Sequence, residues 1–519
     1  MEPRVMLACC SNWLQSRDRQ GAVASVLLLL FATTAAAQSN RPLIYDVRSY
    51  GATGAGQAPD TAAINRAVQA AHDAGGGTVF FPAGTYLSAT IHLQSNVTLN
   101  LDAGAVLKAS ADPEAYDAAE PNQWSQYQDF GHSHWHNSLM WGDGIENVAI
   151  TGFGRIDGSA LTREADQRIG NKVIALKLSR NITIRDLSML RCGHFCILAT
   201  AVDNLTVDNV RIDTNRDGIN IDACRNVRVS NVSVNSPRDD AIVLKSSYGF
   251  GFARDTTNVT ITNCLVSGYD IGTLLDGTYQ RNAEGRWERE PTGRIKLGTE
   301  SSGGFKNIAV SNCVFENSRG LALETVDGGS LEDVTISNIT MRDVVNSPIF
   351  VRLGRRLRSP EGTPVGRVRR VTISDINVFN ADPKSASLIM GIPGHPIEDV
   401  KLHHIRIQYQ GGGTKAQADI VPPEDETGYP EPSRFRGMPA YGFFIRHAEG
   451  IELNDVDIGF EKNDQRPPFV LQDVKHASFN NVKAQHDGPV FVLKDVDDFQ
   501  TWHSTVPDTA LPSAPSKTL

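Results

Sequence analysis

Three aspartates in two short segments could do acid–base chemistry. Asp217 lies in the first segment, and Asp239 and Asp240 are adjacent in the second. Clustered carboxylates raise one another's proton affinity, so one can stay protonated as a general acid while another, ionised, activates a water molecule. This combination cleaves glycosidic bonds. Aspartates also satisfy backbone groups in turns, but three of them in two neighbouring segments favour a catalytic role.

Both segments belong to a repeat that has apolar residues at offsets +1, +3, +6 and +8. Nine copies begin at Asn181, Asn204, Asn226, Asn258, Asn307, Asp333, Arg370, Asp399 and Gly450. Asp217 lies 13 residues after Asn204, Asp239 lies 13 after Asn226, and His194 lies 13 after Asn181. We therefore expect His194 to line the same groove as the aspartates. A partly buried structural histidine is the alternative.

The spacing of the repeat predicts a parallel β-helix. Within each repeat, apolar and polar residues alternate, the phase of the alternation then breaks, and the alternation resumes. This pattern describes two short strands that meet at a corner. The closest repeat starts are 23 and 22 residues apart, which suits coils stacked about 4.8 Å apart. At offset +5 we expect a ladder of stacked amides, formed by Asn209, Asn231, Asn263, Asn312 and Asn338.

A short helix is predicted to close the open end of the solenoid. Asp60 and Thr61 could cap it, and Ile64, Val68 and Ala71 lie on one face. Such a cap is expected because a bare terminal coil exposes apolar core and unpaired strand edges.

The N-terminal residues predict export. Two arginines precede the apolar run 22–31 and the small residues 35–37, which is the order of a secretory leader. Ten strongly apolar residues are short for a membrane span of about 20. We divide the chain into a signal segment (1–37), a β-helix domain (38–505) and a flexible tail (506–519), and expect a secreted or periplasmic monomer.

Charge and cysteine content restrict the partners. The 519 residues include 50 basic and 59 acidic side chains, a net charge of −9, which argues against nucleic acid. No membrane partner is expected after cleavage. Cys192 and Cys196 could pair in an oxidising compartment, and buried free thiols are expected for most of the others.

Three alternating histidines, His132, His134 and His136, could form a metal site if they lie on a strand. Hydrolysis by paired carboxylates needs no metal, so we expect no cofactor. Trp124 and Tyr127 lie nearby, and a loop on which sugars stack is the more natural interpretation.

The residues resemble glycoside hydrolase family 28, the polygalacturonase-like enzymes, which are right-handed parallel β-helices acting on pectin. The likeness runs from residues 45–47 through NVAITGFGRIDG at 147–158 to the aspartate segments. Its most specific parts are NRDG at 215–218, DAC at 222–224, RDD at 238–240 and KS at 245–246. The resemblance implies an all-β, single-stranded right-handed parallel β-helix. It also implies that Asp239 is the general acid and that Asp217 and Asp240 deprotonate water, with inversion.

Taken together, the repeat spacing, the resemblance and the charges predict substrate-binding residues, namely His194, Asn215, Lys245, Arg294, Lys296, Glu300 and Arg352. The chain departs from the family in three places. Arg216 interrupts the family's Asn-Thr-Asp, the histidine of its Gly-His-Gly is missing, and Gly320-Leu-Ala-Leu-Glu324 stands where Arg-Ile-Lys is expected. Arg294, Lys296 and Arg352 could still bind a sugar carboxylate. The alternative is that they are solvated charges on the surface.

These observations predict an inverting hydrolase of α-linked galacturonic-acid-containing polysaccharide, and its long loops suggest action at chain ends. Three alternatives stay open. They are a hydrolase of rhamnogalacturonan or another glycan, a calcium-dependent lyase on the same fold, and a solenoid that binds glycans without catalysis.

Overall fold

Alternating apolar residues fold this chain into a parallel β-helix, as predicted. The computed structural model describes residues 43–519 except 129, 163–170 and 282–289. The signal segment predicted at 1–37 lies outside the described residues. Most strands pair in parallel with the strand one coil earlier and one coil later, so three sheets run along the solenoid.

The first sheet contains β1 (Ile44–Asp46), β3 (Gly77–Phe81), β6 (Val97–Leu101), β9 (Glu146–Gly152), β12 (Arg180–Arg185), β15 (Asp203–Asp208), β18 (Arg225–Ser230) and β21 (Thr256–Thr262). The second contains β2 (Ala55–Pro59), β4 (Gly84–Ser88), β7 (Ala105–Ala109), β10 (Arg155–Asp157), β13 (Ser188–Leu190), β16 (Arg211–Asp213), β19 (Ser233–Asn235) and β22 (Leu265–Ser267).

The third sheet, which carries the aspartates, contains β5 (Ile91–His92), β8 (Met140–Asp143), β11 (Lys172–Lys177), β14 (Phe195–Thr200), β17 (Asp217–Asp222), β20 (Ile242–Ser246), β23 (Ile295–Ser301), β25 (Leu321–Thr325), β27 (Ile349–Leu353) and β29 (Ser387–Met390). In later coils, long strands continue around the corners: β24 (Phe305–Glu316), β26 (Ser330–Arg342), β28 (Arg367–Ala381), β30 (Ile397–Gly411), β31 (Phe443–Lys462), β32 (Phe469–Ala484) and β33 (Phe491–Trp502).

The interior is filled by the apolar columns of the repeat. Ile182, Leu205 and Val227 stack in register, and each is at most 1% exposed. Burying a side chain of this size stabilises the fold by about 1.5–3 kcal/mol. Repeated coil after coil, this burial holds the three sheets together.

Two asparagine ladders stabilise the corners. In the predicted +5 column, Asn263 donates to Asn231 at 3.3 Å and Asn338 to Asn312 at 2.7 Å. The residues that begin the repeats form a second and more continuous ladder, through Asn96, Asn147, Asn181, Asn204, Asn226, Asn258 and Asn307. Their φ angles lie between 55° and 65°, a left-handed conformation that asparagine tolerates better than most residues.

The first helix, α1 (Thr61–Asp73), covers the N-terminal coil as predicted. Ile64, Val68 and Ala71 are each at most 1% exposed. The predicted cap by Asp60 is wrong, because its side chain accepts hydrogen bonds from the backbone of Thr53 and Gly54 instead. The other helices are short: α2 (Thr273–Asp276) and 3-10 turns at Val47–Tyr50, Pro113–Ala115, Ser125–Tyr127, Phe130–His132, Lys415–Asp419 and Pro432–Phe435.

The C-terminal residues differ from the flexible tail predicted at 506–519. They form β34 (Thr509–Thr518), which pairs antiparallel with β33. The last coil otherwise presents a row of unpaired backbone groups, and β34 satisfies them. Pro512 and Pro515 fall outside the paired positions, which is where an edge strand tolerates proline.

The cysteines follow the expectations. Cys192 and Cys196 form a disulfide, and Cys224, Cys264 and Cys313 are buried free thiols. Among the residues that the structure describes, the helices are too short or too polar to span a bilayer.

Candidate active site

The ladder of the third sheet brings the aspartates together. Ile219 on β17 pairs with Ile242 on β20, so counting back two residues places Asp217 level with Asp240. The predicted alignment of Asp217 with Asp239 is therefore off by one residue. The same correction applies to His194, because Phe195 is the partner of Asp217. These coils differ in length by one residue, which shifts the column.

The three aspartates form one cluster, in which one carboxylate oxygen from each lies within 4.8 Å of the others. The side chains of Asp217 and Asp240 are 5% and 6% exposed. The side chain of Asp239 is 31% exposed. The outermost carboxylate is therefore the one that a substrate reaches first.

Asp240 is held in its ionised form by two cations on the next coil. Arg294 donates from Nε to Asp240 Oδ1 at 2.8 Å, and Lys296 Nζ lies 3.6 Å from Oδ2. Burial opposes ionisation of Asp240, but the charges of Lys296 and Arg294 outweigh it and lower its pKa to about 2. At neutral pH this carboxylate can accept a hydrogen bond from water.

Asp239 keeps its proton to a higher pH than an ordinary carboxyl group does. Burial within the cluster and the neighbouring charges of Asp217 and Asp240 raise its pKa to about 7, against the opposing charge of Arg216. Burial also raises the pKa of Asp217, although the charge of Lys245 opposes the shift. The cluster thus pairs a proton donor with an ionised neighbour, which is the division of labour that general acid–base catalysis needs.

Arg294 and Lys296 are saturated by buried carboxylates. Besides Asp240, Arg294 donates to Glu431 at 3.1 Å, and Lys296 lies 3.3 Å from Glu324. The two cations are 3% and 1% exposed. In this arrangement they act on Asp240 and are not open to a sugar carboxylate.

Lys245 and Glu300 form a second buried pair beside the cluster. Lys245 Nζ donates to Glu300 Oε2 at 2.5 Å, and its charge holds the pKa of Glu300 well below the ordinary value despite burial. Asn220 Nδ2 donates to Asp217 at 3.0 Å. Asn215 is half-buried, and its Oδ1 has no hydrogen-bond partner among the described residues.

His194 reaches the cluster through Arg216. Arg216 Nη1 lies 3.3 Å from His194 Nδ1, and Arg216 Nε donates to Asp239 Oδ2 at 3.1 Å. His194 is 1% exposed and lies within the loop that the Cys192–Cys196 disulfide closes. It therefore supports Arg216 from behind.

A loop from the N-terminal coils, the first loop (residues 110–139), covers one side of the cluster. His132 Nε2 lies 3.9 Å from Asp217 Oδ2. The condition for a shared metal site is not met, since His132 ends a 3-10 turn and the three histidines have different neighbours. His134 Nδ1 lies 3.0 Å from Ser133 Oγ, and His136 stacks on Trp141 with ring centroids 3.9 Å apart.

The first loop also supplies half-buried aromatic rings. Trp124 stacks with Tyr127 at 6.4 Å between centroids, and both pack edge-on against Tyr248. Half-buried rings of this kind suit the apolar faces of sugars.

A second loop (residues 412–442) contacts the cations beside Asp240. It contributes Glu431, described above, and Tyr429, whose hydroxyl accepts from Lys296 at 3.1 Å. Arg352, predicted to bind substrate, instead donates to the carbonyls of Gly391 and Glu424 at 2.9 and 2.7 Å. Arg352 thus anchors the second loop.

Sequence reasoning did not identify Glu324, Tyr429 or Glu431 as parts of the site, and it placed His132 only in a possible metal site or a loop on which sugars stack. Glu431 lies 137 residues from its partner Arg294, and no local pattern signals such a contact. Glu324 had a usable signal, because it stands in the segment that replaces the family's Arg-Ile-Lys.

Comparisons with known proteins agree with the fold. A family model described as rhamnogalacturonase A/epimerase, pectate lyase-like, matches residues 44–154, and a right-handed β-helix region model matches 145–284. A probable polygalacturonase of Vitis vinifera is 27% identical over 389 residues, which cover 69% of this chain and 73% of the relative. The chain is a glycoside hydrolase that resembles the polygalacturonases.

Two further matches are bacterial proteins. An exo-poly-alpha-D-galacturonosidase of Dickeya chrysanthemi is 23% identical, with 60% of this chain and 57% of the relative covered. The structure of a family 28 exopolygalacturonase of Yersinia enterocolitica superposes with a TM-score of 0.61 at 19% identity, over 84% of this chain and 79% of the other. The fold class, including its right hand, is confirmed.

Proposed function

We propose that this protein hydrolyses α-linked galacturonic-acid-containing polysaccharide such as pectin or polygalacturonate. The observation that carries the proposal is the aspartate cluster, in which adjacent residues favour opposite protonation states. The pKa of Asp239 is raised to about 7 and that of Asp240 is lowered to about 2. The names of the curated relatives support the choice of substrate.

In the proposed mechanism, Asp239 protonates the oxygen of the leaving sugar. Asp240 and Asp217 hold one water molecule and take up its proton as it attacks the anomeric carbon. A water hydrogen-bonded to two oxygens at about 2.8 Å can bridge atoms up to about 5 Å apart, which fits a cluster within 4.8 Å. Attack from the face opposite the leaving group inverts the anomeric carbon.

The short separation also makes a double displacement worth testing. Retaining glycosidases place their two carboxyl groups about 5–5.5 Å apart, and most inverting ones about 6.5–9.5 Å. NMR of the first product formed distinguishes the two, because the proposed inversion yields the β-anomer from an α-linkage. Initial release of the α-anomer would refute inversion while leaving hydrolysis intact.

We further propose action at chain ends. The first loop brings His132 within 3.9 Å of Asp217, and the second loop brings Tyr429 and Glu431 to the cations beside Asp240. Two loops that contact the carboxylates and their cations favour a pocket over an open groove. Monomer release from the start of digestion is the expected result, whereas an early spread of oligomers would indicate internal cleavage.

The decisive experiment is digestion of polygalacturonate by the wild type and by Asp239→Asn, with and without chelator. We expect new saturated reducing ends that vanish in the variant and survive the chelator. Unsaturated, chelator-sensitive products would indicate a lyase. Against that outcome, Arg294 and Lys296 lie beside Asp240, and their positive charge disfavours a divalent cation there.

Rhamnogalacturonan is the second candidate substrate. The match of residues 44–154 to a rhamnogalacturonase-type model favours it, as does the burial of Arg294 and Lys296 among carboxylates. A parallel digest of rhamnogalacturonan decides between the polymers. A lack of products from either would shift the proposal to another glycan or to binding alone.

We also propose that the protein acts outside the cytoplasm, either secreted or in the periplasm. The Cys192–Cys196 disulfide supports this location, since disulfides persist in oxidising compartments. Sedimentation of the mature chain tests the predicted monomer.

A further inference from the structure

Arg216 occupies a special position among the cations around the aspartates. Its side chain is 25% exposed. Lys245, Arg294 and Lys296 are 9%, 3% and 1% exposed and are bound by buried carboxylates. Arg216 is therefore the most accessible of these four cations, and it lies beside the most accessible aspartate.

The partner of Arg216 is the residue that has to be neutral for catalysis. Arg216 Nε donates to Asp239 Oδ2 at 3.1 Å, and this ion pair favours ionised Asp239. A general acid needs the opposite state. When Asp239 takes up its proton, the attraction weakens and the guanidinium can accept another anionic partner.

The surroundings hold Arg216 in place during such an exchange. Its carbonyl accepts a hydrogen bond from Ser236 Oγ at 2.7 Å, and its Nη1 lies 3.3 Å from His194 Nδ1. The backbone and one edge of the guanidinium are thus fixed independently of Asp239. The planar fork of arginine suits a carboxylate better than a lysine would.

We propose that Arg216 recognises the carboxylate of a uronic-acid unit at the cleavage site and exchanges its ion pair with Asp239 for one with the sugar. Binding of the uronate is then accompanied by uptake of one proton at Asp239. The substrate's own charge thereby keeps the general acid protonated. This proposal rests on the proposed function, because it names the residue that selects a charged sugar.

Other charged groups among the described residues face the Arg216–Asp239 pair. Asp217, on the coil of Arg216, and Asp240, on that of Asp239, both favour protonation of Asp239. Arg294 from the next coil contacts Asp240 instead. Arg216 faces Asp239 and, from the preceding coil, His194.

The test is a binding cycle with galacturonic acid, which has the carboxylate but no bond to cleave. Dissociation constants are measured by NMR titration at pH 8 for the wild type, Asp239→Asn, Arg216→Gln and the double variant. Galactose serves as the neutral probe. Arg228→Gln, which removes an exposed arginine on β18, controls for net charge, and Arg216→Lys tests whether a charge without the fork is enough.

At pH 8, with a pKa of about 7, about one molecule in ten has Asp239 protonated. Asp239→Asn should therefore bind galacturonate about tenfold more tightly than the wild type, and the advantage should disappear at pH 5. Removing Asp239 also removes simple repulsion of the ligand, so some gain persists without Arg216. The gain must be clearly larger when Arg216 is present. Galactose binding should change in none of the variants.

Equal gains from Asp239→Asn with and without Arg216 would overturn the proposal, as would unchanged galacturonate affinity in Arg216→Gln. If the wild type cleaves polygalacturonate while either result holds, this inference fails and the proposed function stands. If no variant binds galacturonate and polygalacturonate is not cleaved, both fail. Thermal melts of Arg216→Gln establish that the variant is folded before its affinity is interpreted.

Discussion

One row of the third sheet has opposite characters in the two halves of the solenoid. In the catalytic half, the outward-facing row passes from Asn220 through Val243 to Lys296. It lies beside the aspartates, and its polar groups bind Asp217, Asp240 and Glu324. Here the ladder sets the spacing of the polar side chains, which in the proposed mechanism support the aspartates.

In the C-terminal half, the same row continues through Ala322, Phe350, Leu388 and Phe444. These side chains form a second apolar cluster with Phe435, Met438 and Ala440 of the second loop. The cluster holds the loop whose Glu431 and Tyr429 reach back to the catalytic half. A single ladder thus builds a reactive surface in one half and, in the other, an anchor for the loop that completes it.

The largest effect is expected from Asp240→Asn, which removes a charged carboxylate from the polar half. The activity on polygalacturonate should fall by about 10³-fold, because water loses its ionised acceptor. Stability should fall as well, since Arg294 and Lys296 lose a buried partner, a loss that typically costs about 3–5 kcal/mol. Initial rates and denaturant unfolding measure the two effects.

Asp239→Asn is the matched control, because this side chain is more exposed and leaves the buried cations paired. It should lose activity with little change in stability. If Asp240→Asn unfolds at the wild-type denaturant concentration, the buried network contributes less than the contrast between the halves implies.

Phe435→Ala removes a ring from the apolar cluster that holds the second loop, and it should have the second largest effect. Truncating a buried phenylalanine costs about 3–5 kcal/mol. With the second loop loosened, Glu431 and Tyr429 withdraw from the site, and kcat/KM should fall although the aspartates are untouched. Limited proteolysis should cut within 412–442 earlier than in the wild type.

Phe479→Ala provides the comparison for this variant. Phe479 is fully buried and packs edge-on against Phe469 and Phe491 in the C-terminal coils. It should cost similar stability and leave kcat/KM of the folded enzyme unchanged. Equal activity losses in both variants would show that the loop has no special connection to the site.

The third largest effect is expected in the pH dependence of kcat/KM, which should respond to changes in the polar half and not to changes in the apolar half. Burial and the charges of Asp217 and Asp240 raise the pKa of Asp239 to about 7. Because its protonated form is the active one, kcat/KM should fall about tenfold per pH unit above that value. Arg216 opposes this shift, so Arg216→Gln should move the alkaline limb to higher pH, whereas Phe435→Ala should leave it in place.

The smallest effect is expected in the corner ladder. Asn226 donates to Asn204 and accepts from Asn258 at 3.2 and 3.0 Å, with φ at 56°. Asn226→Ala should cost about 1–2 kcal/mol, because alanine adopts this conformation less readily. Denaturant unfolding measures it, and activity should be unchanged. Arg370→Ala, at the start of a later coil where an exposed ion pair replaces the amides, should cost less.

The sequence contained enough information to predict the coils and the acids. Regular burial of Ile182, Leu205 and Val227 follows from local alternation, and so does the placement of Asp217 and Asp239 on adjacent coils. The one-residue register shift was not predictable, because coils can differ in length without disturbing the apolar pattern. The roles of Arg294 and Arg352 were missed for another reason. Their partners Glu431 and Glu424 lie in a loop that has no repeat, and contacts across more than seventy residues leave no periodic signal.

The antiparallel pairing of β34 has a consequence for how copies of this molecule meet. A stack of parallel coils that ends in an open strand is a template on which a second copy can continue the same ladder. Here the chain folds back over its own last coil. This pairing covers the last parallel strand, so we expect a chain that stops at residue 508 to form fibrils more readily than the longer chain.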